Sequence, residues 1–239
     1  MTHQYPSGHV GHLTQNQLDT LQKFKDLCQS KKYYTPATAS TPASHDDETL
    51  LRYLRARKFL PQEAFNQFKD TEDWRKENQL DTLYDTIDIE EYDATRRLYP
   101  QWLGRRDKRG IPVYLFEVAQ IDMKAVSANA ATKKGQSSLP ATKEPPKMMR
   151  LFALYENMCR FVLPLCSTVT DRAYPETPIS QSNNIVDISN VGLRQFCEWS
   201  LDSSNNALLT LQKGTSKHTC KMPRCLQPRT TPRRWTESS

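Results

Sequence analysis

Between Asp46 and Lys76 the chain reads DDETLLRYLRARKFLPQEAFNQFKDTEDWRK, and this stretch restricts the fold more than any other because helix signals, a dense basic cluster and aromatic anchors coincide in it. It predicts two helices. Ser44, with Asp47 three positions later, is placed to cap the first, and Leu50, Leu51 and Leu54 recur at spacings of three and four to make an apolar stripe. On the other arc stand Arg52, Arg55, Arg57 and Lys58, near the helix end, where the macrodipole favours positive charge. Phe59 and Leu60 close that helix. Pro61 suits the first position of the next one, where its missing N–H costs little. Ala64, Phe68 and Thr71 then mark the buried line of the second helix, flanked by Phe65 and Trp74.

Composition narrows what surrounds this pair. A chain of 239 residues, 37% of them hydrophobic, has material for one or two cores of ordinary size. No run approaches the ~20 apolar residues that span a bilayer, and the polar start MTHQYPSGHV lacks the charged and apolar regions of a signal peptide. The six cysteines, at 28, 159, 166, 197, 220 and 225, show no paired framework, which predicts free thiols in a reducing compartment. The net charge of +6 is local: seven Lys or Arg and one Glu follow from Lys213, so the preceding residues are balanced. A neutral domain with a basic tail is not the pattern of a nucleic-acid fold, which sets a basic stripe among stacking aromatics.

Taken in order, residues 1–45 read as an N-terminal extension with one helix, Leu13 to Leu27, carrying Leu18, Leu21 and Leu27, followed by a connector from Thr35 to Pro42. Leu80 to Leu98 predicts short helices or turns. Gln101 to Ala119 predicts a hairpin: QWL, a polar GRRDKRG turn, then IPVYLFEVA, an interior strand covered on both faces. Residues 124–147 have no sustained apolar period and read as an inserted loop. Met148, Leu151, Phe152, Tyr155, Cys159 and Val162 predict an amphipathic helix that stops at Pro164 and packs on the sheet. A second buried strand runs from Asn184 to Ser189, centred on Ile185, Val186 and Ile188. The class is α/β.

Several chemistries are excluded by pattern. Seven glycines form neither a dinucleotide nor a P-loop fingerprint, and there is no G-x-S-x-G or H-E-x-x-H. His218, Cys220 and Cys225 lie in a Pro-rich basic tail rather than the rigid frame a zinc site needs. Five histidines, three of them before residue 13, supply no nucleophile, base and orienter set, so neither an enzyme nor a bound cofactor is expected.

LLRYLRARKF followed by a helix ending in DWRK resembles the N-terminal helical segment of the CRAL-TRIO proteins, most of all the fungal Sec14-like phosphatidylinositol/phosphatidylcholine transfer proteins. Similar stretches are Tyr99-Pro100-Gln101, Asp107 to Tyr114, Leu154-Tyr155-Glu156 and Ile185 to Ile188, so the resemblance covers roughly Asp46 to Phe196. It implies an N-terminal helical segment over 46–80 and part of a lipid-binding domain over 90–199, with an apolar pocket built on one sheet and covering helices. At ~0.8 kcal/mol per methylene, acyl chains demand such a pocket. It further implies a non-enzymatic, cytoplasmic carrier that exchanges phospholipid at membrane surfaces, Golgi or endosomal. Arg57 and Lys58 match the positions whose cations help hold an inositol-phosphate headgroup, a task suited to an Arg fork beside a Lys point charge. From charge alone they read as a solvated helix face.

For a choline lipid the resemblance places Tyr114, Tyr155 and Ser182 at or beside hydroxyl-bearing or lining positions, although Tyr155 also suits plain core packing. Leu103 stands where a tyrosine is expected and Asn184 where a threonine is, so weaker choline-lipid binding is implied. After Phe196 the resemblance ends: residues 200–239 form an atypical basic tail in which no further sheet is legible. The expectation is a C-terminally truncated family member with impaired transfer, its tail read from an unrelated frame. The competing expectation is a regulatory or inactive fragment whose basic tail meets an anionic membrane surface or a partner, at roughly 1 kcal/mol per cation near a charged leaflet.

Overall fold

The computed structural model of the chain describes residues 5–99, 101–122, 124–126, 142 and 144–192. The expectations for the basic tail from residue 200, for Phe196 and for most of the 124–147 insertion lie outside the described residues.

The N-terminal half is helical. Helix α1 (Gln15–Ser30) starts at a capping box, Thr14 and Gln17 each accepting a backbone N–H from the other. It buries Leu21, Phe24 and Cys28 and leaves Leu18 facing water, so its inner line follows Phe24 and not the leucines alone. Helix α2 (Asp47–Ala56) is capped by Asp46, whose Oδ1 accepts the Thr49 N–H at 2.7 Å. Ser44 is not the cap, because the accepting side chain must sit at the residue just before the first helical one; its Oγ instead accepts the Thr35 N–H. Helix α3 (Pro61–Glu77) begins with its proline, as expected, and buries Ala64, Phe65 and Phe68. Phe68 meets Phe24 and Tyr53 edge to face, and the leucines of α2 fill the space between, giving α1, α2 and α3 one shared core.

Two short helices follow, α4 (Leu80–Thr86) and α5 (Ile89–Arg96), in keeping with the alternating acids and apolar residues there. Leu80 and Leu83 pack with Met149, Phe152 and Ala153, and Trp74 stands edge-on to Phe152 at 4.7 Å. Ion pairs cross the same seam: Arg75 reaches the buried Glu156 and the exposed Asp81, and the buried Arg150 reaches Glu91.

The sheet has three strands in the order β1 (Gln101–Arg106), β2 (Pro112–Glu117), β3 (Asn183–Asp187), antiparallel and then parallel. Gly104, at φ +71°, sits inside the register break between Trp102 and Arg106, so β1 absorbs Gly-Arg-Arg and leaves a tight Asp107–Ile111 turn. Asp107 fastens that turn, accepting N–H groups from Arg109 and Ile111 and the Asn183 side-chain amide.

Strand β2 is the middle strand, yet Val113 to Phe116 are only half-buried. The expected burial of β3 is also corrected: Ile185 is 53% exposed and Ile188 is exposed as well. The reason is that the described helices meet the face carrying Trp102 and Tyr114, through Ile111, Val162, Leu163, Cys166 and Ile179, whereas Leu115 and Ile185 pair on the opposite face. The helix through Tyr155 runs further than expected. Helix α6 (Pro146–Asn157) passes through a π-helical turn (Met158–Val162) into α7 (Leu163–Ser167), and Pro164 is accepted in the first turn of this last segment instead of stopping the path. At a first turn the ring breaks no hydrogen bond.

Candidate functional site

The basic end of α2 divides into cations that face solvent and cations that turn inward. Arg57 is the C-terminal cap, and Lys58 and Phe59 both take left-handed backbone, φ 53° and 58°. Left-handed backbone costs about 1–2 kcal/mol per residue outside glycine. The turn is held by Phe59 N–H donating to the Leu54 carbonyl at 2.7 Å. Arg57 and Lys58 are exposed and make no ion pair among the described residues.

Arg55, one turn earlier, points the other way. It donates to Glu48 Oε1 at 2.6 Å and to the Gly8 carbonyl at 3.1 Å, and lies 3.4 Å from Ser180 Oγ. Glu48 is 3% exposed and gathers four groups: Arg55, His9 Nδ1 at 2.8 Å, Ser180 Oγ at 2.8 Å and the Val10 N–H at 3.1 Å. Burial pushes its carboxyl pKa up, but the hydrogen bond from His9 and the charge of Arg55 outweigh this and hold it at about 2. This cluster was not foreseen from the sequence. Its one signal is spacing, since Glu48 and Arg55 are seven apart and share a helix face. It ties the N-terminal arm and α2 to Ser180, two residues before Ser182 and four before Asn184.

On the helix-covered face of the sheet, Trp102, Tyr114 and Asn184 stand in one row across β1, β2 and β3. Phe116 and Val186 form the next row of the same face. Burial raises the phenol pKa values of both Tyr114 and Tyr155 well above the ordinary range, and the neighbouring Cys159 thiol raises both further, which sets Tyr155 of α6 on the helix side of this row. The Tyr155 hydroxyl is buried with no hydrogen-bond partner among the described residues. Tyr114, Tyr155 and Asn184 are therefore on one interface, Ser182 is half-buried where the chain enters β3, and Leu103 faces solvent on β1. Arg57 and Lys58 do not join that interface through any described contact.

Arg52 joins it instead. Read from the sequence as part of the polar arc, it lies over the Tyr53 ring at 5.5 Å and interacts with Cys159. Its Nε is buried without a partner. An open cleft of about 380 Å³ lies elsewhere, at Gly104 to Asp107, Asp171 and Arg172; its charged lining is unsuited to acyl chains. Among the described residues there is no cluster of His, Cys, Asp or Glu fit for a metal, and no helix long and apolar enough to cross a membrane.

Comparison with known proteins fits this geometry. Residues 20–70, which span most of α1, all of α2 and most of α3, match the family described as CRAL/TRIO, N-terminal domain. The chain is 33% identical over 189 residues to the Sec14 cytosolic factor of Schizosaccharomyces pombe, covering 79% of this chain and 57% of that protein. It is 30% identical over 161 residues to the Kluyveromyces lactis counterpart, covering 67% of this chain and 47% of that protein. A phosphatidylinositol/phosphatidylcholine transfer protein of Arabidopsis thaliana is 33% identical over 156 residues, covering 65% of this chain and 25% of that protein. The chain thus spans about half the length of the fungal relatives it matches. By these matches it belongs to the CRAL-TRIO family, and its relatives are Sec14-like proteins.

Proposed function

We propose that this chain binds a phospholipid, with the headgroup near the α2 end and the polar atoms of the tyrosine row, and carries it between membranes. The observation that carries the reading is the Tyr155 hydroxyl, buried without a partner among the described residues, beside Tyr114 on the helix-covered face of the sheet. A buried hydroxyl left unsatisfied costs about 1–3 kcal/mol, which a ligand oxygen would recover. The name of one relative, a phosphatidylinositol/phosphatidylcholine transfer protein, supports the same ligand class, and the names of two others, cytosolic factors, support a cytoplasmic setting.

In this reading Arg57 and Lys58, exposed and unpaired at the end of α2, take the inositol phosphate, while Ser182, Asn184, Tyr114 and Tyr155 line the polar end of the pocket. Leu103, turned to solvent, offers no hydroxyl to a choline phosphate, so phosphatidylinositol is the preferred lipid. The ligand is held without covalent chemistry or a cofactor, and the partner is the surface of a membrane, Golgi or endosomal, visited from the cytoplasm.

Native mass spectrometry of the purified protein after incubation with vesicles of phosphatidylinositol and phosphatidylcholine tests this. One phospholipid per chain, mostly phosphatidylinositol, is the expected result. Equal uptake of both would remove the preference. Vesicle binding that leaves no lipid on the released protein, and vanishes when residues 213–239 are deleted, would assign the interaction to the basic tail.

A further inference from the structure

Two of the joints between the helical half and the sheet differ in kind. At one, Trp74, Leu80 and Leu83 interlock with Met149, Phe152 and Ala153, so parting it would bare carbon to water. The other is polar. Residues 5–13 run ahead of α1 and belong to the helical half: Val10 and Leu13 pack on its core, the Gly8 carbonyl accepts from Arg55, and Glu48 accepts from His9 and the Val10 N–H. This arm keeps its own shape, with the Gly8 N–H donating to the His12 carbonyl and the His12 N–H to that of His9. Gly8 and Gly11, at φ +81° and +86°, make its turns in backbone that other residues rarely take.

The outer side of the arm meets residues 174–180, which lead into β3. Thr177, fully buried, donates its hydroxyl to the Val10 carbonyl at 3.0 Å, His12 Nε2 lies 2.6 Å from Glu176 Oε1, and the Tyr174 ring stands edge-on to both Tyr5 and His12. Ser180 donates to Glu48 itself. The far side of this segment is fixed to the sheet: Ile179 lies in the core with Val162 and Cys166, its N–H donates to Ser167 Oγ, and Arg172 holds the carbonyls of Tyr174, Pro175 and Thr177. The helical core and the sheet core share no residue among those described. What crosses this joint is therefore hydrogen bonds, a histidine–carboxylate pair and ring edges. A hydrogen bond exchanged for water costs little net, whereas one half-made and sealed costs much, so such a joint opens as a whole or stays shut.

We propose that residues 5–13 are a latch. Carried by the helical half, they fasten onto residues 174–180, and their release lets the helical half swing from the sheet about the Trp74–Phe152 seam, uncovering the entry to β3, where Ser182 and Asn184 stand, to an incoming lipid. That last step rests on the phospholipid reading above; the opening itself does not.

Gly11 supplies the means of testing it, because a Cβ there would stand 3.2 Å from Glu176 Cγ, which puts cysteines at the two positions within disulfide reach. Gly11→Cys/Glu176→Cys is compared reduced and oxidised, with the parent chain given the same oxidant as control and peptide mass spectrometry identifying the cross-link. Hydrogen–deuterium exchange of residues 8–12 and 176–182 reads the opening. Native mass spectrometry at intervals reads how fast phosphatidylinositol is taken from vesicles and how much is finally held. Oxidation should slow exchange in both segments by about fivefold or more and lipid uptake by about tenfold, with the final amount unchanged. Thr177→Val and His12→Ala each remove one contact across the joint; they should raise exchange about threefold and speed uptake. These two variants carry the comparison if the cysteine pair fails to fold or to cross-link.

Exchange that the cross-link leaves untouched would show that the joint does not open, and overturns the latch. Faster exchange in Thr177→Val spread equally over α1, α2 and α3 would make the arm a general stability element instead. Slowed exchange with unaltered lipid uptake would place the lipid's entrance elsewhere and remove the role in loading. A parent chain that retains no lipid overturns the phospholipid reading alone, and the exchange comparison still decides the opening.

Discussion

Glu48 shows how one residue can govern both the local fold and its response to acid. Its carboxylate is nearly sealed from water and accepts from His9, Arg55, Ser180 and the Val10 backbone, so a folded pKa of about 2 replaces the ordinary 4.5. A folded pKa below the unfolded one means stability that is fully present above pH 4.5 and is lost as pH falls toward 2. The shift corresponds to about 3 kcal/mol. Glu48→Gln should therefore lose roughly 3–5 kcal/mol at pH 7, because Arg55 is left desolvated without its counter-charge. Urea titrations at pH 7, 4 and 2.5 should show the gap between the two proteins closing as acid is added. A constant gap would mean that the carboxylate charge is not what the cluster uses. Apart from the Glu48–Arg55 spacing, this cluster was not legible in the sequence, because Glu48 reads there as an ordinary first-turn acid and its partners His9 and Ser180 lie 39 residues before it and 132 after it.

At the scale of elements, periodicity and turn chemistry were readable where they act locally. The α2 and α3 helices, the hairpin around Asp107 to Gly110 and the helix through Tyr155 follow from spacing and from proline at a helix start. What misled was local as well: Ser44 is a good cap residue two positions too early, and Pro164 breaks a helix only where its ring would displace a hydrogen bond. The hairpin also makes a tertiary contact that spacing cannot reveal. Gly110 has φ +86°, and a Cβ there would stand 2.3 Å from Arg172 Cδ. Arg172 is buried and donates to the carbonyls of Val169, Tyr174, Ser167, Pro175 and Thr177, so it cannot give way cheaply. Gly110→Ala should cost about 2–4 kcal/mol, the left-handed backbone and the overlap together. Gly104→Ala, at φ +71° with nothing within 4 Å, should cost only about 1–2 kcal/mol. Guanidinium chloride midpoints of the two variants would separate overlap from backbone strain.

Across the whole molecule, burial is uneven. Eleven buried residues from α1 through α3 form one core, while β3 is exposed at Ile185 and Ile188. Amide exchange should therefore be slowest in α1, α2 and α3 and fastest, among regular elements, in β3. Slower exchange at Ile185 to Asp187 than at Leu50 to Leu54, measured by hydrogen–deuterium mass spectrometry, would contradict this distribution. The sequence by itself determined the helices, the hairpin, the α/β class and the membership that the LLRYLRARKF stretch announces, because each depends on spacings within one or two turns of the chain. Tertiary structure decided which face of each element meets another. It turned Arg52 and Arg55 inward while Arg57 and Lys58 face water, set Tyr155 on the helix side of the sheet near Tyr114, and left Ile185 exposed. The physical reason is that a helical pattern states which residues share a face, whereas burial and pairing depend on what arrives from distant parts of the chain to meet it.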